Sequence, residues 1–177
     1  SIIMSASMLA LLDFCDAIET CKKIDPIKSK RKVLAIDIDI RKHNLELIKA
    51  HPMSSRIKML QGSSIEKKIV DQVYQIAKNY KKIMICLDSN HTHSHVLKEL
   101  ESYAPLTSIG CYCIVFDTIV EDVPKNTFPD RPWKPGDNPK TAVWNYIKNH
   151  PEFEIDKNLQ NKLMITVAPD GYLKRIK

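Results

Sequence analysis

With 177 residues, 44% of them apolar and only four glycines, the chain has the composition of one soluble globular domain, which excludes a disordered or collagen-like chain. The net charge of +6 sits in short clusters (Lys28, Lys30, Arg31, Lys32; Lys81, Lys82; Lys174, Arg175, Lys177) without interleaved aromatics, which argues for a solvated surface and against a nucleic-acid partner. No apolar stretch approaches the roughly 20 residues of a membrane span, and no signal peptide is evident. The five cysteines lack C-x-x-C spacing, and Cys86, Cys111 and Cys113 lie in apolar runs, so buried thiols in a cytoplasmic protein are expected.

Residues 3–18 are small and apolar almost all round, broken by Asp13 and Asp16, and predict a buried helix. The chain starts inside this segment without an initiator methionine, so a longer, N-terminally truncated polypeptide is expected. A lysine-rich connection with Pro26 leads to the apolar run 33–36, which ends in Asp37, Ile38 and Asp39. A helix over 42–50 follows and stops at His51-Pro52. Residues 57–60 predict a short strand ending in Gln61-Gly62-Ser63-Ser64, where Gly62 permits close backbone approach and Ser63 or Ser64 can cap a helix over 65–79.

The run Ile83 to Leu87 ends abruptly in Asp88 and then in a histidine-rich turn, Asn90-His91-Thr92-His93-Ser94-His95. An apolar run without alternation suits a strand buried on both faces, and such strands end at the crevice where ligands bind. Thr92 or Ser94 can cap a helix to Tyr103, with Val96, Leu97 and Leu100 inward. Residues 111–115 form another apolar run, followed by Phe116-Asp117. Residues 120–138 predict a long ordered loop anchored by Phe128 and Trp133. Asn138 or Asp137 caps a helix from Pro139 to about Asn149. Residues 153–155, 163–167 and 172–175 predict closing strands, with Asp170-Gly171 as a hairpin turn. The alternation predicts an α/β, three-layer, Rossmann-like domain over 1–177, mostly parallel with an antiparallel C-terminal edge.

Residues 33–44 (VLAIDIDIRKHN), 56–64 (RIKMLQGSS), 87–96 (LDSNHTHSHV), 130–143 (DRPWKPGDNPKTAV) and 163–175 resemble the cephalosporin hydroxylase family. That family belongs to the S-adenosylmethionine-dependent methyltransferases and is related to rhamnosyl O-methyltransferases. The resemblance implies methyl transfer from S-adenosylmethionine to a hydroxyl of a sugar or small molecule. It implies cofactor contacts by Ser1, Asp37, Gly62, Ser63, Ser64 and Asp88, with Asp37 on the ribose hydroxyls. It also implies that Asp88 is catalytic, positioning the acceptor hydroxyl, with a divalent cation, Mg²⁺, on Asp88 and Asp117. The family commonly has Glu-Asp where this chain has Phe116-Asp117, and its first strand and glycine-rich turn would lie upstream of Ser1.

Each residue also has a plainer reading. Asp37 and Asp88 could be ordinary loop acids, Asp39 could replace Asp37, and Trp133 could be only a loop anchor. His91 is a catalytic candidate as proton acceptor, because histidine titrates near neutrality. His91, His93 and His95 could instead form a zinc cluster, although no fourth ligand is near in sequence. Two rival classes remain: a non-catalytic remnant or assembly module of the same fold, and a metal-dependent oxygenase, for which no two-histidine-one-carboxylate pattern is found. A homo-oligomer is compatible with all of them.

Overall fold

The apolar run after Lys32 forms a parallel pair with the strand that follows one helix later. In the computed structural model, which describes residues 30–177, Val33–Asp37 (β1) lies beside Ile57–Gln61 (β2), in register from Val33 with Ile57 to Asp37 with Gln61. Lys42–Ala50 (α1) connects them. It ends at His51, whose backbone turns extended (φ −71°, ψ 137°) because the following Pro52 disfavours a helical residue before it. Ala35, Ile48 and Ile57 form a small core, with Val33, Ile40, Met53 and Met59 packed against it. The chain divides into two compact units at Ile69, within the helix Lys67–Ala77 (α2). The predicted helix from residue 65 thus begins two residues later, after a turn in which Glu66 N–H donates to the Ser63 carbonyl at 3.0 Å. The predicted buried helix over 3–18 and the cofactor candidate Ser1 lie outside the described residues.

The second unit holds a four-stranded sheet of Ile85–Leu87 (β3), Tyr112–Val115 (β4), Phe153–Ile155 (β5) and Tyr172–Arg175 (β6), in the order β3-β4-β6-β5. The β3–β4 pair is parallel, and β6 runs antiparallel to both β4 and β5. The α/β class and the antiparallel C-terminal edge are as expected. The described strands make two sheets, β1 with β2 and the four-stranded β3-β4-β6-β5.

His93–Tyr103 (α3) packs on Pro139–Ile147 (α4). Val96, Leu100 and Tyr103 of α3 and Ala142, Val143 and Tyr146 of α4 are buried, as are Cys113, Val115 and Leu173 of the sheet. Each such aliphatic side chain contributes about 1.5–3 kcal/mol on leaving water. Asn138 caps α4 as expected, accepting from Lys140 and Thr141 N–H, and Pro139 occupies the first turn.

Two expectations about the C-terminal part fail. Residues 163–167 form no strand. Lys157–Leu163 is a helix (α5) set by Asp156, whose carboxylate accepts from Leu159 N–H at 2.9 Å. The apolar residues beyond it are left in solvent, Met164 87% and Ile165 93% exposed, and the backbone turns at Met164 (φ 57°) instead of extending, Ile165 N–H donating to the Leu163 carbonyl at 2.6 Å. Asp170-Gly171 does form a turn, with Asp170 at φ 67° and Gly171 N–H donating to the Ala168 carbonyl. It joins no hairpin, since no strand precedes it.

Candidate active site

Three acids predicted at strand ends sit where the apolar runs stop. In the first unit, Asp37 ends β1 opposite Gln61, and Gly62 N–H donates to its carbonyl at 2.9 Å. The tip of β1 therefore adjoins the turn of Gly62, Ser63 and Ser64. Asp37 Oδ1 accepts from Asp39 N–H at 3.1 Å, which holds the carboxylate in place. Gly62 is required there twice over. Its φ is 152°, and a Cβ would stand 2.8 Å from the Ile69 side chain.

In the second unit, the parallel register of β3 and β4 places Leu87 beside Val115, and Phe116 N–H donates to the Leu87 carbonyl at 2.9 Å. Asp88 and Asp117 therefore leave the sheet at the same end. Asp117 adopts φ 54°, in the left-handed region that aspartate tolerates better than most residues, and so opens the short 3₁₀ turn Thr118–Asp122. Asp88, His91 and Asp117 each offer one ligand atom, and these atoms lie within 4.8 Å of one another. His91 Nε2 is 3.2 Å from Asp117 Oδ2.

The turn that carries His91 is held from several sides. Asn90 Oδ1 accepts from Thr92 N–H at 2.9 Å and from its hydroxyl at 2.8 Å. The first backbone N–H of α3, on His93, is taken by Asp137 Oδ1 at 2.8 Å, from 44 residues away. Neither expected cap, Thr92 or Ser94, does this; Thr92 sits at the cap position without a side-chain cap bond because Asn90 engages its hydroxyl. The loop over 120–138 is itself braced, Glu121 Oε2 accepting from Gly136 N–H at 2.7 Å and from the Asn138 side chain. Trp133 stands edge-on to His91 with centroids 5.4 Å apart and packs on Phe128 at 4.9 Å. The two predicted anchors thus pack on each other, and Trp133 also meets the site histidine.

Burial pushes the Asp117 carboxyl above its ordinary value; His91 opposes this and Asp88 adds to it. Asp88→Asn should therefore lower the Asp117 pKa, and His91→Ala should raise it. Side-chain carbon shifts followed against pH read both, and midpoints unmoved in either variant would show the groups to be uncoupled. Burial and Asp88 push the neighbouring Cys86 thiol up to about 11, so it is protonated at neutral pH. Cys86, Cys111 and Cys113 are unpaired, and Cys113 is fully buried while the other two are partly so. Cys15 and Cys21 lie outside the described residues.

A family model described as "Rhamnosyl O-methyltransferase/CmcI" matches residues 1–176. The chain belongs to that family. The rhamnosyl O-methyltransferase of Mycobacterium tuberculosis (strain ATCC 25618 / H37Rv) is 33% identical over 118 residues, 66% of this chain and 46% of that protein. The one from Mycobacterium leprae (strain TN) is 30% identical over 146 residues, 81% and 59% respectively. The chain spans about half the length of these relatives. Among solved structures, the MycE methyltransferase from the mycinamycin biosynthetic pathway, in complex with Mg, SAH and mycinamycin VI, is similar with a TM-score of 0.43 and 18% identity. That match covers 71% of this chain and 38% of the other.

Within this member of the rhamnosyl O-methyltransferase/CmcI family, the three histidines of the turn do not converge. His93 Nδ1 bonds the Thr141 hydroxyl at 2.8 Å, and His95 Nε2 lies 3.6 Å from Glu99 Oε1. Residues two apart on a helix point to different sides, so the zinc reading has no geometry behind it. The cation-binding candidate among the described residues is instead Asp88, His91 and Asp117. Sequence reasoning paired the two acids as cation ligands and named His91 as proton acceptor, but did not place His91 among the ligand candidates. The signal was there in its chemistry, as a titratable side chain three residues beyond a strand-end acid.

Proposed function

We propose that the chain is the cofactor- and acceptor-binding part of an S-adenosylmethionine-dependent O-methyltransferase acting on a hydroxyl of a sugar or other small molecule. The observation that carries this reading is the convergence of Asp88, His91 and Asp117, in a chain of the rhamnosyl O-methyltransferase/CmcI family. The relatives' names favour a rhamnosyl acceptor. Unpaired thiols fit a cytoplasmic setting, and no described helix is long and apolar enough to cross a membrane.

The donors fit both implied groups. Asp37 uses one oxygen on Asp39 N–H and, among the described residues, keeps the other for a ribose hydroxyl, while Gly62, Ser63 and Ser64 line the adjoining turn for the adenine. S-adenosylmethionine supplies a methyl group made electrophilic by its sulfonium. Asp88 and Asp117 would hold a divalent cation, which would supply positive charge to stabilise a developing alkoxide.

The chain's own work is alignment and proton removal. Asp88 orients the acceptor hydroxyl. His91 Nε2, beside Asp117, takes the hydroxyl proton as the new carbon–oxygen bond forms and the sulfur–carbon bond breaks, and the two carboxylates stabilise the imidazolium. The common proximity of all three groups favours a second role for His91, as third cation ligand in place of the carboxylate lost at Phe116. His91→Gln separates the two: a base variant keeps cation affinity and loses transfer, whereas a ligand variant loses both.

Calorimetry with S-adenosylhomocysteine tests the reading at its root. Binding is expected, and Asp37→Ala should weaken it about tenfold or more, as loss of charge-assisted bonds predicts. No heat with either form of the cofactor would favour a non-catalytic module, and iron-dependent oxygen uptake would favour an oxygenase.

A further inference from the structure

Glu99 stands on α3 three residues after Val96 and one before Leu100, on the face that helical spacing reserves for apolar side chains, and only 2% of it reaches solvent. An acid there needs a reason, because buried carboxylates are retained only where they are bonded. Its Oε1 accepts a 2.7 Å hydrogen bond from the Ser89 hydroxyl and lies 3.6 Å from His95 Nε2, one turn back on the same helix. Its Oε2 is enclosed without a hydrogen-bond partner. Ser89 directly follows Asp88 and precedes His91 by two residues. The loop that carries two of the three site groups is therefore tied to a buried carboxylate beneath it.

We propose that Glu99 is a positioning residue which, through Ser89, fixes the turn presenting Asp88 and His91 to Asp117. The bond to Ser89 holds one end of this turn, and the Asp137 bond to His93 N–H holds the other. Between these two ties the Asn90 side chain closes the turn on itself. Reacting groups must be held to within a fraction of an ångström, and a side chain that locks their backbone is how a fold achieves this. The importance of this placement for catalysis rests on the function proposed above, whereas the clamp itself is independent of it.

Amide hydrogen exchange and Mn²⁺ affinity, the latter by electron paramagnetic resonance, test the clamp in Ser89→Ala, Glu99→Ala and Glu99→Gln. Exchange over residues 88–92 should accelerate about tenfold in Ser89→Ala and Glu99→Ala, the scale of one lost hydrogen bond, while β4 and α4 stay unchanged. Glu99→Gln keeps an oxygen for Ser89 and should stay within about threefold of the parent. Mn²⁺ affinity should fall about tenfold in Ser89→Ala, in the range of lost second-layer contacts. Parent-like exchange in Ser89→Ala overturns the proposal, as does faster exchange with unchanged Mn²⁺ affinity. If Glu99→Ala does not fold, Ser89→Ala decides, since it removes one hydroxyl from an exposed residue. A parent chain that binds no Mn²⁺ overturns the metal reading above, and the exchange data then judge the clamp alone.

Discussion

Asp117→Asn should weaken Mn²⁺ binding by about 100-fold or more while leaving the fold at least as stable at neutral pH. The first half follows from ligand chemistry: an amide oxygen carries no charge, and even second-layer partners of a metal are worth about 10–100-fold. The second half follows from the direction of the Asp117 pKa. Burial raises it, with Asp88 adding and His91 opposing, so the folded chain binds the proton more readily than the unfolded chain does. Stability therefore falls as pH rises from the ordinary carboxylate value through the raised one. The neutral amide escapes that loss. The same sign predicts that cation affinity in the parent weakens as pH falls through the raised Asp117 value, because the cation must then displace a proton. Calorimetric Mn²⁺ titrations at several pH values, with thermal melts of both proteins, check all three statements. Full affinity in Asp117→Asn would remove Asp117 from the site.

The site was legible wherever one residue's chemistry contradicts its local pattern. An apolar run that stops at an acid shows Asp37 and Asp88 on sight, and Asp117 after one intervening Phe. What the linear pattern does not carry is convergence. The left-handed backbone at Asp117 and the β3–β4 register bring His91 to its carboxylate, and neither leaves a trace in composition. Helical geometry likewise decides against grouping His91, His93 and His95, which look like a cluster only when written in a row. Propensity misled at 163–167, where apolar and β-branched residues read as a strand. A strand needs a paired, extended backbone, and here the chain turns at Met164 and none of the described strands pairs with it. The short helix α5 was invisible for the opposite reason, having no apolar stripe and depending on the cap from Asp156. Glu99 was hidden by its helix, because a glutamate at helical spacing reads as surface until its burial is seen.

Gly171→Ala should cost about 3 kcal/mol or more, an overpacking penalty at its upper end, and lower the melting temperature by about 6–12 °C for a chain of this size. Gly171 leads into β6 at its closest approach to β4, with its carbonyl accepting from Val115 N–H at 2.8 Å. A Cβ at this position would stand 2.1 Å from the Val115 carbonyl oxygen, with the Ala168 carbonyl oxygen at 3.1 Å behind it. Both obstacles are main chain, so no rotamer change relieves the contact, and the strand pair must separate. Val115 lies two residues before Asp117, on the strand whose register sets the site. A displaced β4 should therefore move Asp117 away from Asp88 and His91, and cation affinity should fall together with stability. A thermal melt reads the first effect and a Mn²⁺ titration well below the transition reads the second. Lost stability with unchanged affinity would mean that the end of β4 is held by its pairing with β3 alone, through the Phe116 to Leu87 bond, and that β6 supports the sheet without placing the site.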